Sequence, residues 1–211
     1  MMRFGLWVAL FALVCPIAAS AADCTPASIG VDISAADTLV LVYECRGMSQ
    51  GFQADDTLIS AITVWDPPHA YVNYQERYLF VSGVNAGGTA DPGQLIYGPD
   101  TLVVPVADSV HAIPYRWDFD PPLALPRRGP FAFVIMAWEY GLFGLSSATG
   151  DPYPDGILCR TFPVPDCSVP GGAAVCGMWE GQDLCFRIEF CHDLAVQART
   201  STWGKLKTLY R

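Results

Sequence analysis

Residues 57–65 read TLISAITVW, and the DPP of 66–68 follows at once. On an extended chain Leu58, Ile62 and Val64 share one face, their neighbours are rich in β-branched residues, and Asp-Pro-Pro is turn chemistry. The same grammar runs outward in both directions. Upstream, DTLVLVYEC (37–45) sets Leu39, Leu41 and Tyr43 on one face; downstream, RYLFVSGV, QLIYG, TLVVPV, YRWDFD, FAFVIMAWE and LCFRIEF read as further strands. NAGG, DPG, GPD, a second DPP, RRGP and DPYPDG stand between them as turns. About nine short strands predict an all-β fold, an antiparallel two-sheet β-sandwich of jelly-roll type.

The run FAFVIMAW (131–138) is apolar on both faces. If Phe131, Phe133 and Ile135 fill the core, Ala132, Val134, Met136 and Trp138 point outward, so a loop or the C-terminal segment is expected to cover them, with a docked ligand as the alternative.

The N-terminus has a different character. MMRFGLWVALFALVCPIAASAADC places Arg3 before an apolar run and ends in small residues, the pattern of a secretory signal peptide cleaved after Ala21 or Ala22. Beyond it no apolar run exceeds the eight residues of 131–138, well short of the roughly 18 that a spanning helix needs. The expected organisation is therefore a signal peptide at 1–22, a disulfide-stapled sandwich at 23–193 and a tail at 194–211. In that tail Thr200 or Ser201 caps a short helix with Trp203, Leu206 and Tyr210 on one face, or the segment is disordered. The scarcity of lysine and asparagine beside ten arginines matches GC-rich bacterial coding, and the expected location is exported: periplasmic, cell-surface or extracellular.

Charge excludes one class of partner. Arg3 and the tail residues Arg199, Lys205, Lys207 and Arg211 leave the body with seven basic residues against all 21 acidic ones. Nucleic-acid binding needs a basic footprint, which this body lacks. Cation binding is compatible with it.

Five of the eight cysteines fall in LCRTFPVPDCSVPGGAAVCGMWEGQDLCFRIEFC (158–191), separated by seven, eight, eight and five residues. Neither the close pairs of a zinc site nor the C-x-x-C of a redox centre is present. In an exported chain these cysteines are expected to form disulfides, drawn from Cys24, Cys45, Cys159, Cys176, Cys185 and Cys191. Cys167, in the most irregular segment, is expected to be the unpaired one. On one strand Cys185 and Cys191 would lie about 20 Å apart and so do not pair with each other. Each bridge should contribute on the order of 2–4 kcal/mol.

Catalytic signatures are lacking. GLSSATG (144–150) has Ala148 where a nucleophile elbow requires glycine, and His69, His111 and His192 are far apart in sequence. Two carboxylates held about 5–10 Å apart can hydrolyse a glycoside. Asp66, Asp118, Asp120, Asp151 and Asp155 are available, but most sit in turns, where Asp commonly serves the backbone. Binding is better supported. Trp65, Tyr71, Tyr74, Trp117, Trp138 and Tyr140 lie on strands or at their ends, and flat aromatic faces suit sugar rings, although a core role competes for each. Asp151 and Asp155, bracketing Tyr153 in DPYPDG, are a candidate structural calcium pair. No other cofactor is expected.

Four segments taken in order, QGFQADDTLISAITVW (50–65), WDFDPPLALPRRGPFAFVI (117–135), SSATGDPYPDGIL (146–158) and DLCFRIEFC (183–191), resemble secreted bacterial jelly-roll modules of the choice-of-anchor type, similar in build to galactose-binding-like and carbohydrate-binding sandwiches. The resemblance implies a non-catalytic exported module with a sorting or anchoring element at one terminus, a part that STWGKLKTLYR (201–211) would play. It also implies that sugar, where bound, sits on end loops or across a sheet face. The expected function is thus glycan binding or surface adhesion. The alternatives are an assembly protein of the envelope or of an extracellular complex that meets a surface-protein partner, and a carbohydrate-active enzyme.

Overall fold

Strand formation here is decided by which residues can hide one face. In the computed structural model, residues 23–42, 46–68, 76–103, 108–137, 143–161 and 174–192 are described, all within the unit Asp23–Asp193. In chain order the strands are β1 (Asp23–Val31), β2 (Thr38–Val42), β3 (Met48–Ala54), β4 (Leu58–Asp66), β5 (Glu76–Val84), β6 (Ala90–Val103), β7 (Ile113–Ala124), β8 (Gly129–Ala137), β9 (Phe143–Thr149), β10 (Leu158–Thr161), β11 (Ala174–Val175), β12 (Gln182–Leu184) and β13 (Phe186–His192). They form a four-stranded sheet ordered β1-β13-β4-β7, a six-stranded sheet ordered β11-β10-β3-β8-β5-β6 and a three-stranded sheet ordered β12-β9-β2, with every pairing antiparallel. The fold is all-β, consistent with a sandwich. Among the described residues no helix is long and apolar enough to cross a membrane.

The two larger sheets meet face to face through aromatic pairs. Phe133 of β8 packs on Phe186 of β13 at 5.5 Å, and Tyr97 of β6 meets Phe119 of β7 edge-on at 5.1 Å. Alternation delivers these side chains. In β7, Tyr115, Trp117 and Phe119 point inward while Arg116, Asp118 and Asp120 stay exposed. In β13, Phe186, Ile188 and Phe190 do the same. Close approach of β1 to β13 requires glycine at position 30, where φ is +139° and a Cβ would lie 1.9 Å from the Phe186 carbonyl oxygen.

Several expectations need correction. The buried face of β2 carries Val40 and Val42, whereas Leu39 and Leu41 are exposed, so the side read as one apolar face is the outer one. The GPD of 98–100 and the DPP of 120–122 are not turns between strands but lie inside β6 and β7, at slips in register. Both are edge strands, where a missing N–H costs no ladder bond. On the outer face of β8, Ala132, Val134 and Met136 are buried and cluster with Phe80 of the neighbouring β5 and Ala90 of β6, while Trp138 and the C-terminal segment expected as a cover lie outside the described residues.

Charged side chains also lie inside the fold, Arg77 and Asp66 among them. Arg77 of β5 is 1% exposed, with its guanidinium carbon 3.8 Å from the centre of the Phe143 ring. Burial pulls its pKa below the ordinary arginine value, while Tyr115 and Asp66 act in the opposite direction. The Tyr115 hydroxyl donates to Asp66 Oδ2 at 2.6 Å. Tyr115→Phe leaves that carboxylate short of a donor and should cost about 2 kcal/mol in urea unfolding; an unchanged midpoint would show that the hydroxyl contributes nothing net.

Candidate functional site

The site is assembled where β9, β10 and β12 end. After Thr149 the chain turns left-handed at Gly150 (φ +87°) and Asp151 (φ +54°), and the Asp151 N–H donates to Gly181 O at 2.8 Å. The turn that follows is fastened at several points. The Tyr153 N–H donates to Asp183 Oδ2 at 3.0 Å, its hydroxyl accepts from the Gln53 N–H at 3.1 Å, and its ring stands edge-on to Phe186 at 5.2 Å. Gly156 N–H closes back on Tyr153 O, and Gly51 N–H of β3 donates to Ile157 O at 2.9 Å. Chain and sheet approach so closely that a Cβ at Gly156 would lie 2.1 Å from Gly51 O.

Beneath the turn lies a buried polar pair. Asp183 is 1% exposed; its Oδ1 accepts from Gln50 Nε2 at 2.8 Å, and Gln50 Oε1 accepts from the Leu184 N–H at 2.9 Å. Burial raises the Asp183 carboxyl above its ordinary pKa, the Gln50 and Tyr153 donors pull it back, and nearby Asp151 adds to the rise.

The opposite wall is held by a disulfide. Cys159 of β10 is bridged to Cys176, and a short 3-10 turn, Gly177–Trp179, begins at the next residue. The Trp179 N–H donates to Cys176 O at 2.9 Å, and the Arg160 guanidinium lies 4.7 Å from the centre of the indole. Arg160 also donates to Leu41 O at 3.2 Å. Between the wall and the turn opens a cleft of about 380 Å³, lined by Asp151, Pro154, Trp179, Glu180, Gln182 and Asp183 among others. Its volume falls in the range of small-molecule sites, roughly 300–1,000 Å³. An indole flanked by carboxylates and a carboxamide offers what a sugar ring uses: a flat apolar face and acceptors for hydroxyl protons.

No protein-family model matches the chain, and no curated protein matches it. The reading of the site therefore rests on its residues.

Trp65 and Trp117, expected as ligand platforms, are core residues, 8% and 3% exposed. Trp117 falls in line with Tyr115 and Phe119 on the inner face of β7, and Trp65 packs in the same cluster with the Arg187 guanidinium 5.9 Å from its ring centre. Tyr71, Tyr74, Trp138 and Tyr140 lie outside the described residues, as do the signal peptide, the tail, Cys45 and Cys167; of Cys24 only the backbone is described. Of the candidate carboxylates, Asp66 accepts from Tyr115, Asp118 pairs with Arg116 at 2.7 Å, and Asp151 lines the cleft. Among the described residues no three His, Cys, Asp or Glu side chains come together as metal ligands, and Asp151 and Asp155 stand as two exposed carboxylates of one turn. His111 is exposed beside Asp108.

Cys185 is a correction. It is a buried free thiol, pushed up to about 12 chiefly by burial, with Asp32 and Asp37 adding to the rise. The stretch read as one strand is two: β12 belongs to the small sheet and β13 to the four-stranded one, and Cys185 is the step between them. Alternation breaks there, so Leu184, Cys185 and Phe186 all enter the core. Cys191 is disulfide-bonded.

Trp179, Glu180 and Gln182 are absent from the sequence-derived candidates because they fall in the Cys-, Pro- and Gly-rich block, which reads as irregular. The usable signal was MWEGQD, an aromatic amid carboxylates and carboxamide immediately after a bridged cysteine.

Proposed function

We propose that the chain is an exported, non-catalytic binding module on a jelly-roll sandwich, of the choice-of-anchor kind, and that its ligand is a glycan held in the Trp179 cleft. The observation that carries the reading is the fixed position of Trp179, pinned by the Cys159–Cys176 bridge and by Arg160 at the wall of a cleft rimmed with carboxylates. Strand order supports the jelly roll. The pairs β1/β13, β3/β8, β4/β7 and β5/β6 are nested, like one long hairpin folded over so that its strands divide between two sheets. The disulfides suit an oxidising compartment.

A glycan array probed with the mature protein should give a specific signal, and Trp179→Ala should lower affinity about tenfold or more. Because Trp179 also packs against the core, the exposed Glu180→Ala is the companion variant and should weaken binding with thermal unfolding unchanged. A specific signal indifferent to both variants would move the ligand elsewhere. The assembly alternative draws on a different feature, the exposed Leu39 and Leu41 of edge strand β2. A silent array, together with self-association abolished by Leu41→Lys, would favour it.

A further inference from the structure

The Trp179 cleft does not stand alone. On the other side of the 154–157 turn lies a second depression of about 210 Å³, lined by Gly51, Gly88, Pro130, Asp155 and Ile157 among others. The two share Pro154, Gly156 and Ile157 as walls, so the turn is a ridge with a hollow on each flank. From this we infer that the ligand is a linear, uncharged glycan of at least two sugar units, lying across the Ile157 ridge with one unit in each hollow; the inference rests on the glycan reading of the Trp179 cleft.

Three observations carry it. First, the ridge is rigid before any ligand arrives. It is fixed to β3 by Gly51 N–H to Ile157 O, to Gln53 through the Tyr153 hydroxyl, and to Asp183 through the Tyr153 N–H. A preorganised ridge spares a bound chain the cost of ordering a loop. Second, the second hollow is smaller than the roughly 300 Å³ at which free-standing ligand sites begin, so it fits an extension of a ligand anchored next door rather than a site of its own. Third, the charge of the walls selects the chain. The exposed Asp151 and Glu180 line the cleft and the exposed Asp155 the second hollow, while among the described residues no Lys, Arg or His lines either one. Uronic-acid or sulfated chains would meet like charge along the lining, whereas hydroxyl groups would meet acceptors. Ile157, 44% exposed and shared by both hollows, offers an apolar patch under the linkage between the two units.

Isothermal titration with ladders of neutral gluco-, galacto-, manno- and xylo-oligosaccharides, one to six units long, tests this against oligogalacturonates of the same lengths. In at least one neutral ladder, affinity should rise about tenfold or more between one unit and two or three, then level off; the oligogalacturonates should not bind. Asp155→Ala, an exposed position, should cut the ratio of three-unit to one-unit affinity several-fold. Affinity flat from one unit onward, an unchanged ratio in Asp155→Ala, or tight binding of oligogalacturonate would each overturn this inference while leaving the glycan reading in place. Failure of every neutral ladder to bind would remove the glycan reading and the inference with it.

Discussion

Replacing Cys159 and Cys176 together by serine is expected to lower the unfolding free energy by about 3 kcal/mol, the chain-entropy value for a bridge closing a loop of this size. The two cysteines are 17 residues apart in sequence, and little else joins the described ends of that loop. Among the described residues β11 pairs with β10 at Arg160 opposite Val175 and Thr161 opposite Ala174, Arg160 stacks on Trp179, and Trp179 packs against the core. Urea unfolding of the double variant, or of the native chain under a reductant, reads the loss. If the proposed glycan reading holds, affinity should fall further than a stability loss alone explains, by about tenfold, because the indole that forms the wall is in the turn that starts right after Cys176. An unmoved urea midpoint would mean that the wall is held without the bridge. Cys185→Ala provides the control: it removes a buried thiol, not a cross-link, and should leave any affinity for the proposed glycan ligand unaltered.

The all-β reading was available from the sequence because β4, β7, β8 and β13 carry their own signal, with large apolar side chains at regular spacing between turn residues. β1 (DCTPASIGV), β3 (MSQGFQA) and β9 (FGLSSAT) carry almost none. They are strands because of their neighbours: β3 lies between β8 and β10, β1 borders β13, and β9 joins β2 to β12. Small residues are tolerated there since strand preference mostly measures fit to a surface provided by other strands. The same cause misled the reading of the aromatics. Trp65 and Trp117 look like platforms in a list of residues, yet the inward register of β4 and β7 makes them packing. Cys185 failed for a related reason, since no local pattern announces that one apolar run changes sheets.

The candidate site was half legible. Turn chemistry marked DPYPDG as special, and Asp151 does line the cleft, but the stretch serves as a fastened ridge. Its fastening depends on Gln50 and Asp183, 133 residues apart, a contact that spacing alone does not reveal.

That contact sets up the second large effect. Gln50→Leu keeps the side chain's bulk but removes the donor to Asp183 Oδ1 and the acceptor for the Leu184 N–H, both in a buried setting. Leaving a buried carboxylate and an amide short of partners should cost about 3 kcal/mol at pH 7. The penalty should also depend on pH in a definite direction. Because burial holds the folded-state pKa of Asp183 above its unfolded value, the folded chain binds the proton more tightly. The stabilisation linked to that proton is fully present below the unfolded carboxylate pKa of about 3.9 and is lost as pH rises through the higher folded value. Removing the Gln50 donor, which opposes the rise, pushes the folded value higher still. The difference between native and Gln50→Leu proteins in urea unfolding should therefore shrink on going from pH 7 to pH 4, where Asp183 is increasingly neutral and no longer needs a charge-stabilising donor. A penalty of the same size at both pH values would mean that the cost lies in the Leu184 amide or in packing, and that the Asp183 charge is not what Gln50 serves.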